Sequence, residues 1–240
     1  MQNDLFPLAI LAGGLAKRLH PITRMIPKSL IEINGSPFIV HQLRLLSNNG
    51  IKKVVICAGY LGEKIVEYLD KNEKFGIEIH YSFDGPVLLG TGGAVKKALP
   101  LLGDNFFVIY GDSYLQCDYR LIQQAYQNSR KMGLMTIYRN EGKWDKSNVE
   151  YSDGRIVNYD KSESTDRMQF IDYGLGIFNK RAFDQMPENV PFDLSIIYKN
   201  LIACDELFAF EVSSRFYEIG TQKGIADLEN YLKRKTNFVE

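Results

Sequence analysis

Short apolar runs alternate with amphipathic stretches through the first half of the chain, and this alternation restricts the fold more than any other feature. The apolar runs are FPLAIL, IKKVVICAG, IEIHYS and DNFFVIYGD. Stretches between them, such as FIVHQLRLLSNNG, place apolar residues on roughly one helical face. Strands that alternate with helices predict a parallel sheet covered by helices, because parallel neighbours need crossover connections.

The pattern changes in the second half. Two alternating runs in NVEYSDGRIVNYDK are joined by Asp153-Gly154, which predicts a hairpin. MQFIDYGLGIF and LFAFEV indicate further strands, whereas KRAFDQM, DLSIIYKNLIAC and KGIADLENYLKRK indicate helices. We therefore predict an α/β fold with a Rossmann-like, mixed and mainly parallel sheet flanked by helices, in a single domain over residues 1–240.

Charge and cysteine content narrow the function classes. The chain has 29 Lys and Arg against 29 Asp and Glu, so it lacks the basic field that would hold nucleic acid or an anionic membrane. Cys57, Cys117 and Cys204 lack the paired spacing of a zinc site. The first residues reach glycines too soon for a signal peptide. We expect a cytoplasmic protein with neither a nucleic-acid nor a membrane partner.

The segment LAGGLAKRLHPITRMIPKSL follows the first apolar run. Gly13 and Gly14 stand where a loop leaves the carboxyl end of the first strand, the position at which open α/β sheets bind ligands. Arg18 and Lys28 add two positive charges suited to phosphate oxygens. The segment is neither a Walker loop nor a dinucleotide fingerprint, because both glycine spacings are absent. A tight turn with two solvated cations is the alternative interpretation.

The motif LAGGLAKRL followed by PK resembles the signature G-G-x-x-x-R-L…P-K of sugar-1-phosphate nucleotidyltransferases. LLGTGGA, VIYGD, YDK, DYGLGIF and FYEIGT follow in the order of that family. The resemblance implies transfer of a nucleoside monophosphate from a nucleoside triphosphate to a sugar 1-phosphate, with release of pyrophosphate. It also implies a nucleotide-binding half over residues 1–135 and an acceptor-binding half over 136–240. Similarity to heptose- and hexose-1-phosphate guanylyltransferases favours GTP, and the resemblance allows a homo-oligomer.

The resemblance further implies the roles of individual residues. Nucleotide contacts fall to Leu11, Ala12, Gly13, Gly14 and Gly90. Arg18 would grip the triphosphate, Lys28 would bridge the reacting phosphates, and Asp112 would be the first Mg²⁺ ligand, with Glu218 as the second. Acceptor contacts fall to Asn148, Lys161, Asp172 and Gly174. The implied partners are therefore a nucleoside triphosphate, a phosphorylated small molecule and Mg²⁺ as cofactor.

Some positions depart from the family pattern and keep other interpretations open. Glu218 replaces the usual aspartate, Asn148 a usual glycine, and Asp160 a usual glutamate. A cytidylyltransferase acting on a phosphorylated non-sugar such as phosphocholine is one alternative, and a regulatory subunit that binds nucleotide without turnover is another. Asp112 could instead be a helix N-cap or turn aspartate before SYLQCDY, and Glu218 a salt-bridged strand residue.

The proposed chemistry needs no general base. A phosphate monoester has a second pKa of about 6, so the attacking oxygen is already largely anionic at neutral pH. His20, His41 and His80 show no metal-ligand spacing and no paired nucleophile. Catalysis by such a chain would consist of positioning and charge neutralisation.

Overall fold

The computed structural model describes the chain from Asp4 to Asn237, except for the side chains of Lys17, Thr236 and Asn237. Residues 1–3 and 238–240 of the predicted domain lie outside the described residues. The strands are β1 Leu8–Leu11, β2 Glu32–Ile33, β3 Ser36–Pro37, β4 Lys53–Ala58, β5 Glu78–Phe83, β6 Asn105–Tyr110, β7 Ser113–Leu115, β8 Gly133–Arg139, β9 Val149–Ser152, β10 Arg155–Tyr159, β11 Phe170–Asn179, β12 Leu207–Glu211 and β13 Phe216–Glu218. The helices are α1 Phe38–Asn48, α2 Gly62–Asp70, α3 Gly90–Leu102, α4 Tyr119–Ser129, α5 Ser195–Ala203 and α6 Gln222–Asn237.

Four strands, in the order β5-β4-β1-β6, form the parallel part of the main sheet. The chain passes from β1 to β4 and β5 on one side, and α3 then carries it back across to β6 on the other. The carboxyl ends of β4 and β6 therefore flank that of β1. This is the topological switch point at which ligands bind in sheets of this kind.

Helices cover both faces of this sheet, as the sequence predicts. Leu8 and Ile10 of β1 pack with α1, α2 and α4 in one buried cluster, whereas Ala9 packs with α3 and α5 in another. Alternate residues of a strand point to opposite faces, so a central strand buried on both sides has an unbroken apolar run.

The second half of the chain adds antiparallel strands to the same sheet. β11 pairs antiparallel with β6, β8 and β9, and β9 forms the predicted hairpin with β10 at Asp153 and Gly154. β12 runs parallel to β8. The predicted mixed α/β fold in one domain is confirmed. The boundary proposed at residues 135 and 136 lies within β8, so the two halves share one continuous sheet.

Two local features differ from the sequence-based expectation. KRAFDQM forms only a 3-10 turn over Lys180–Phe183, because Pro187 follows at once and disfavours helical backbone at Met186. The second feature is a small antiparallel sheet in which β7 pairs with β13. This pairing places Glu218 opposite Ser113, immediately after Asp112.

Candidate active site

A cavity of about 260 Å³ opens at the carboxyl ends of β1 and β6. It is lined by the predicted residues Leu11, Ala12, Gly13, Gly14, Lys28, Gly90 and Asp112, and also by Ala16, Ser29, Cys57, Asp84, Leu88, Thr91, Ala94, Tyr110 and Gly111. All five predicted nucleotide-binding residues thus line one cavity, together with the cation Lys28 and the acid Asp112.

The two glycines of the first turn have different reasons to be glycine. A Cβ on Gly13 would lie 3.1 Å from the Gly59 amide nitrogen, so the close approach of the turn after β4 leaves little room for a side chain. A Cβ on Gly14 would meet no protein atom within 4 Å. The fold accounts for Gly13, whereas the open space at Gly14 leaves its main chain accessible from the cavity.

Gly90 is required by packing. Its φ is +69°, and a Cβ would lie 2.7 Å from the Phe192 carbonyl oxygen. The amides of Gly92 and Gly93 donate to that same oxygen at 2.9 and 3.3 Å. The segment before α5 is therefore packed against the first turn of α3, at the edge of the cavity.

Lys28 and Asp112 form an ion pair on the cavity wall. Lys28 Nζ lies 2.6 Å from Asp112 Oδ2, and the two side chains are 18% and 23% exposed. Asp112 is not a helix N-cap, because β7 and not a helix follows it, and Asp118 caps α4 by accepting from the Leu121 amide. Asp112 does stand in a turn, the one between β6 and β7, as the alternative interpretation also allowed. A charged pair in this setting is weakly screened by solvent.

Arg18 lies beside the cavity and not in its lining. Its side chain is exposed, and Nη2 is 3.2 Å from the position that a Cβ on Gly220 would occupy. Asp112 Oδ2 is 3.8 Å from that same position. The loop after β13 therefore brings the guanidinium and the carboxylate to one place, next to the cavity mouth.

Glu218 is held close to Asp112 by the β7–β13 pairing. Burial is the largest cause that raises the pKa of Glu218 to about 8, and the charges of Asp112 and Asp145 raise it further, against the lowering effect of Lys28. Among the ion pairs of residues 4–237, none includes Glu218, so its interpretation as a salt-bridged strand residue is wrong.

The Asp112 and Glu218 pair fits a divalent cation. The Asp112 charge helps to raise the pKa of Glu218, so a cation between the two side chains would offset their repulsion, and carboxylate oxygens are hard ligands of the kind Mg²⁺ prefers. Within the part of the chain that the structure describes, no three His, Cys, Asp or Glu side chains form a metal cluster. Mg²⁺ commonly takes only one or two protein carboxylates, so a pair is sufficient.

This buried carboxyl predicts a pH dependence of stability in the metal-free protein. The ordinary pKa of glutamic acid is 4.5, and Glu218 keeps its proton to about pH 8 in the folded state. The folded state therefore binds more protons between these values, and the free energy of unfolding is expected to fall as pH rises through this window. Chemical denaturation in the presence of EDTA, at several pH values from 5 to 8, measures this free energy of unfolding. Glu218→Gln should flatten the dependence of the unfolding free energy on pH. An equal pH dependence in that variant would contradict its assignment to Glu218.

Three of the four predicted acceptor residues, Asn148, Asp172 and Gly174, form one hydrogen-bonded group. Asn148 Oδ1 accepts from the Asp172 amide at 2.9 Å, and Asp172 Oδ1 accepts from the Gly174 amide at 3.0 Å. The Tyr159 hydroxyl donates to Asp172 Oδ2 at 3.0 Å. These contacts occur where the pairing register of β11 with β8 shifts between Asp172 and Gly176. The Asn148 side chain is thus engaged in holding this irregular segment.

Lys161, the fourth predicted acceptor residue, lies near this group, because its charge acts to lower the pKa of Asp172 against the larger raising effect of burial. Its Nζ donates to the Tyr110 hydroxyl and to Asp193 Oδ1, both at 3.1 Å. Tyr110 lines the cavity, so Lys161 contacts a residue of the cavity wall.

Sequence reasoning missed three residues of this region, namely Asp84, Tyr110 and Asp193. Asp84 directly follows β5, a parallel strand, and the rule that ligands bind at the carboxyl ends of parallel strands could have found it. Asp193 stands just before α5, where an aspartate signals a helix start. Tyr110 ends an apolar run and gives no signal of its own.

No helix in the described part of the chain has the length and apolar character needed to cross a membrane.

Comparison with known proteins places this site in a family. Residues 8–190 match the family described as nucleotidyl transferase. The D-glycero-alpha-D-manno-heptose 1-phosphate guanylyltransferase of Aneurinibacillus thermoaerophilus is 29% identical over 231 residues, which cover 93% of this chain and 98% of that protein. The mannose-1-phosphate guanylyltransferase catalytic subunit beta of Drosophila pseudoobscura pseudoobscura is 26% identical over 219 residues, which cover 89% of this chain. The match covers 59% of that longer protein.

A solved structure has the same fold. The crystal structure of HddC from Yersinia pseudotuberculosis complexed with GMP-PN superposes with a TM-score of 0.79 at 21% identity, covering 95% of this chain and all of that one. The family match extends over most of the chain and includes the glycine turn, Lys28, Asp112 and the acceptor group. The chain therefore belongs to the nucleotidyl transferase family.

Proposed function

We propose that this chain transfers a nucleoside monophosphate from a nucleoside triphosphate to a sugar 1-phosphate and releases pyrophosphate. The observation that carries the proposal is the Lys28–Asp112 pair, 2.6 Å apart on the wall of a cavity that begins at the glycine turn. The heptose- and mannose-1-phosphate guanylyltransferases among its relatives support the same reaction.

The reaction is an in-line displacement at phosphorus. An oxygen of the acceptor phosphate forms a bond to the α-phosphorus, and the bond from that phosphorus to the bridging oxygen of the β-phosphate breaks, with both electrons leaving on pyrophosphate. No proton must be removed, because the second pKa of a phosphate monoester is about 6. The chain therefore has to orient the two phosphates and to neutralise their charge.

The residues of the site can orient the phosphates and neutralise their charge. Lys28 is a compact cation at the cavity wall, and Arg18 presents a planar fork of donors at its mouth. The main chain at Gly13 and Gly14 can approach phosphate oxygens closely. Lys161 contacts Tyr110 of the cavity wall, and its ammonium is suited to hold the acceptor phosphate. When bound by Asp112 and Glu218, Mg²⁺ would supply further neutralisation of the phosphate oxygens.

We infer that the nucleotide is GTP, and that Asp84 recognises the base. Asp84 is 7% exposed and lines the cavity, and its Oδ2 accepts from the Leu89 amide at 3.1 Å. Its carboxylate has further lone pairs that accept no hydrogen bond from the residues that the structure describes. The Watson–Crick edge of guanine carries two adjacent donors, N1–H and the 2-amino group, which match a carboxylate. The guanylyltransferases among the relatives add support.

Asp84→Asn is expected to lower the preference for GTP over UTP by about tenfold, since one bidentate contact gives about 1–3 kcal/mol of discrimination. The amide replaces an acceptor by a donor that opposes the guanine edge. The measurement is the ratio of kcat/KM for the two nucleotides. Asp70→Asn, an exposed acid on α2 that pairs with Lys74, is the matched control. An unchanged ratio in Asp84→Asn would exclude base recognition by this residue.

A pyrophosphate-release assay tests the function itself. The purified protein is supplied with Mg²⁺, each of the common nucleoside triphosphates, and either hexose 1-phosphates, heptose 1-phosphates or phosphocholine. We expect release with GTP and a sugar 1-phosphate. Release only with CTP and phosphocholine would favour the cytidylyltransferase, and no release with any pair would favour a regulatory subunit.

A further inference from the structure

Asp193 contacts both Thr91 of the cavity wall and Lys161, the lysine predicted to bind the acceptor. The residue stands before α5, and its two carboxylate oxygens have different partners. Oδ1 accepts from Lys161 Nζ at 3.1 Å and from the Ser195 amide at 2.8 Å. Oδ2 accepts from Thr91 Oγ1 at 3.0 Å. Thr91 belongs to the first turn of α3 and lines the cavity, so one carboxylate connects the cavity wall with the acceptor-side lysine.

Thr91 is held in turn by the segment that carries Asp193. The Leu194 amide donates to Thr91 Oγ1 at 2.8 Å, and the Phe192 carbonyl accepts from the amides of Gly92 and Gly93. This reciprocal set of hydrogen bonds fixes the position of Asp193 relative to the first turn of α3. The anchor of Lys161 is therefore built on the nucleotide side of the cavity.

The charge of Asp193 persists at physiological pH. Burial alone would raise the pKa of Asp193, but the Lys161 charge and the hydrogen bonds from Ser195 and Lys161 hold it at about 2. The Lys161 ammonium also lies 5.2 Å from the centroid of the Tyr110 ring. Asp193 and Tyr110 thus both contact the Lys161 ammonium. The Lys161 side chain is 36% exposed and remains open to a ligand.

We infer that Asp193 is a positioning residue that holds the Lys161 ammonium at the acceptor pocket and ties its position to Thr91 of the nucleotide side. The inference rests on the proposed function, in which Lys161 binds the acceptor phosphate. A free lysine side chain has about 2 kcal/mol of rotamer entropy to lose on binding. Because Asp193 orders Lys161 beforehand, the acceptor pays less of that loss when it binds.

Asp193→Asn tests the role. Asparagine keeps an Oδ1 that can accept from the Ser195 amide, so this contact at the start of α5 is retained while the charge that holds Lys161 is removed. We expect the KM for the sugar 1-phosphate to rise by about tenfold, the size expected for loss of one charge-assisted hydrogen bond. The Kd for GTP, measured by titration calorimetry, is expected to stay unchanged. Asp104→Asn, which removes a surface acid 2.7 Å from Lys180, is the matched control.

A double-mutant cycle separates positioning from a merely structural role. In a Lys161→Met background, Asp193→Asn is expected to change the KM no further, because its effect acts through the lysine. Asp193→Glu, which keeps the charge, is expected to recover part of the affinity. Additive effects in the cycle, or an unchanged KM in Asp193→Asn, would overturn the inference. A wild-type protein that releases no pyrophosphate with any substrate pair would instead refute the proposed function.

Discussion

Replacing Lys28 by alanine is expected to lower kcat for pyrophosphate release by about 10³-fold, the upper end of the range for removing one preorganised charge-stabilising donor. The ammonium lies on the cavity wall, 2.6 Å from Asp112 and only 18% exposed. A cation in such a weakly solvated place stabilises phosphate charge far more than a surface lysine would. The measurement is kcat with GTP and the preferred sugar 1-phosphate.

The fold is expected to survive this change. Lys28 belongs to a short 3-10 turn and to none of the three buried apolar clusters. Far-ultraviolet circular dichroism and the Tm check this. Lys71→Ala, which removes an exposed lysine paired with Glu67 on α2, is the matched control and should keep full activity. Undiminished turnover by folded Lys28→Ala would remove this residue from the mechanism.

Asp112→Asn is expected to lower kcat by about 10²- to 10³-fold, since a metal ion contributes several kcal/mol of charge stabilisation and each 1.4 kcal/mol is tenfold. The substitution keeps the size of the side chain and the main-chain carbonyl that accepts from the Ile219 amide. It removes the Asp112 carboxylate from the pair that, with Glu218, would hold the cation. The Mg²⁺ concentration for half-maximal activity should therefore rise.

A magnesium titration of the release rate measures this effect. Asp118→Asn provides the comparison, because asparagine also caps helices well and Asp118 serves α4 away from the cavity. Its Mg²⁺ dependence should equal that of the wild type. If Asp112→Asn showed the same Mg²⁺ dependence as the wild type, Asp112 would not be a metal ligand.

Local sequence signals explain why much of the site could be predicted. The glycine turn follows the first strand, and Asp112 follows β6, so the rule for carboxyl ends of parallel strands places both at one edge. Lys161, Asp172 and Gly174 were assigned only through the resemblance to the family. The structure brings them together around the irregular part of β11, while their roles as acceptor contacts stay predictions.

Contacts between distant segments explain what could not be predicted. The pairing of β7 with β13 joins residues more than 100 positions apart, and neither strand is long enough to give a periodic signal. That pairing decides the environment of Glu218. Asn148 likewise departs from the family pattern in the sequence alone, and only the fold shows its side chain accepting from the Asp172 amide.

The sequence by itself determined the sheet, its helical cover and the position of the glycine turn, because apolar periodicity and glycine placement are local properties of a chain. Tertiary structure alone decided which charges meet. Lys28 contacts Asp112, burial and the nearby Asp112 charge raise the pKa of Glu218, and Asp193 connects Lys161 with Thr91. These contacts depend on the distances between charged side chains and on their burial. Both are set only when segments far apart in the chain pack together.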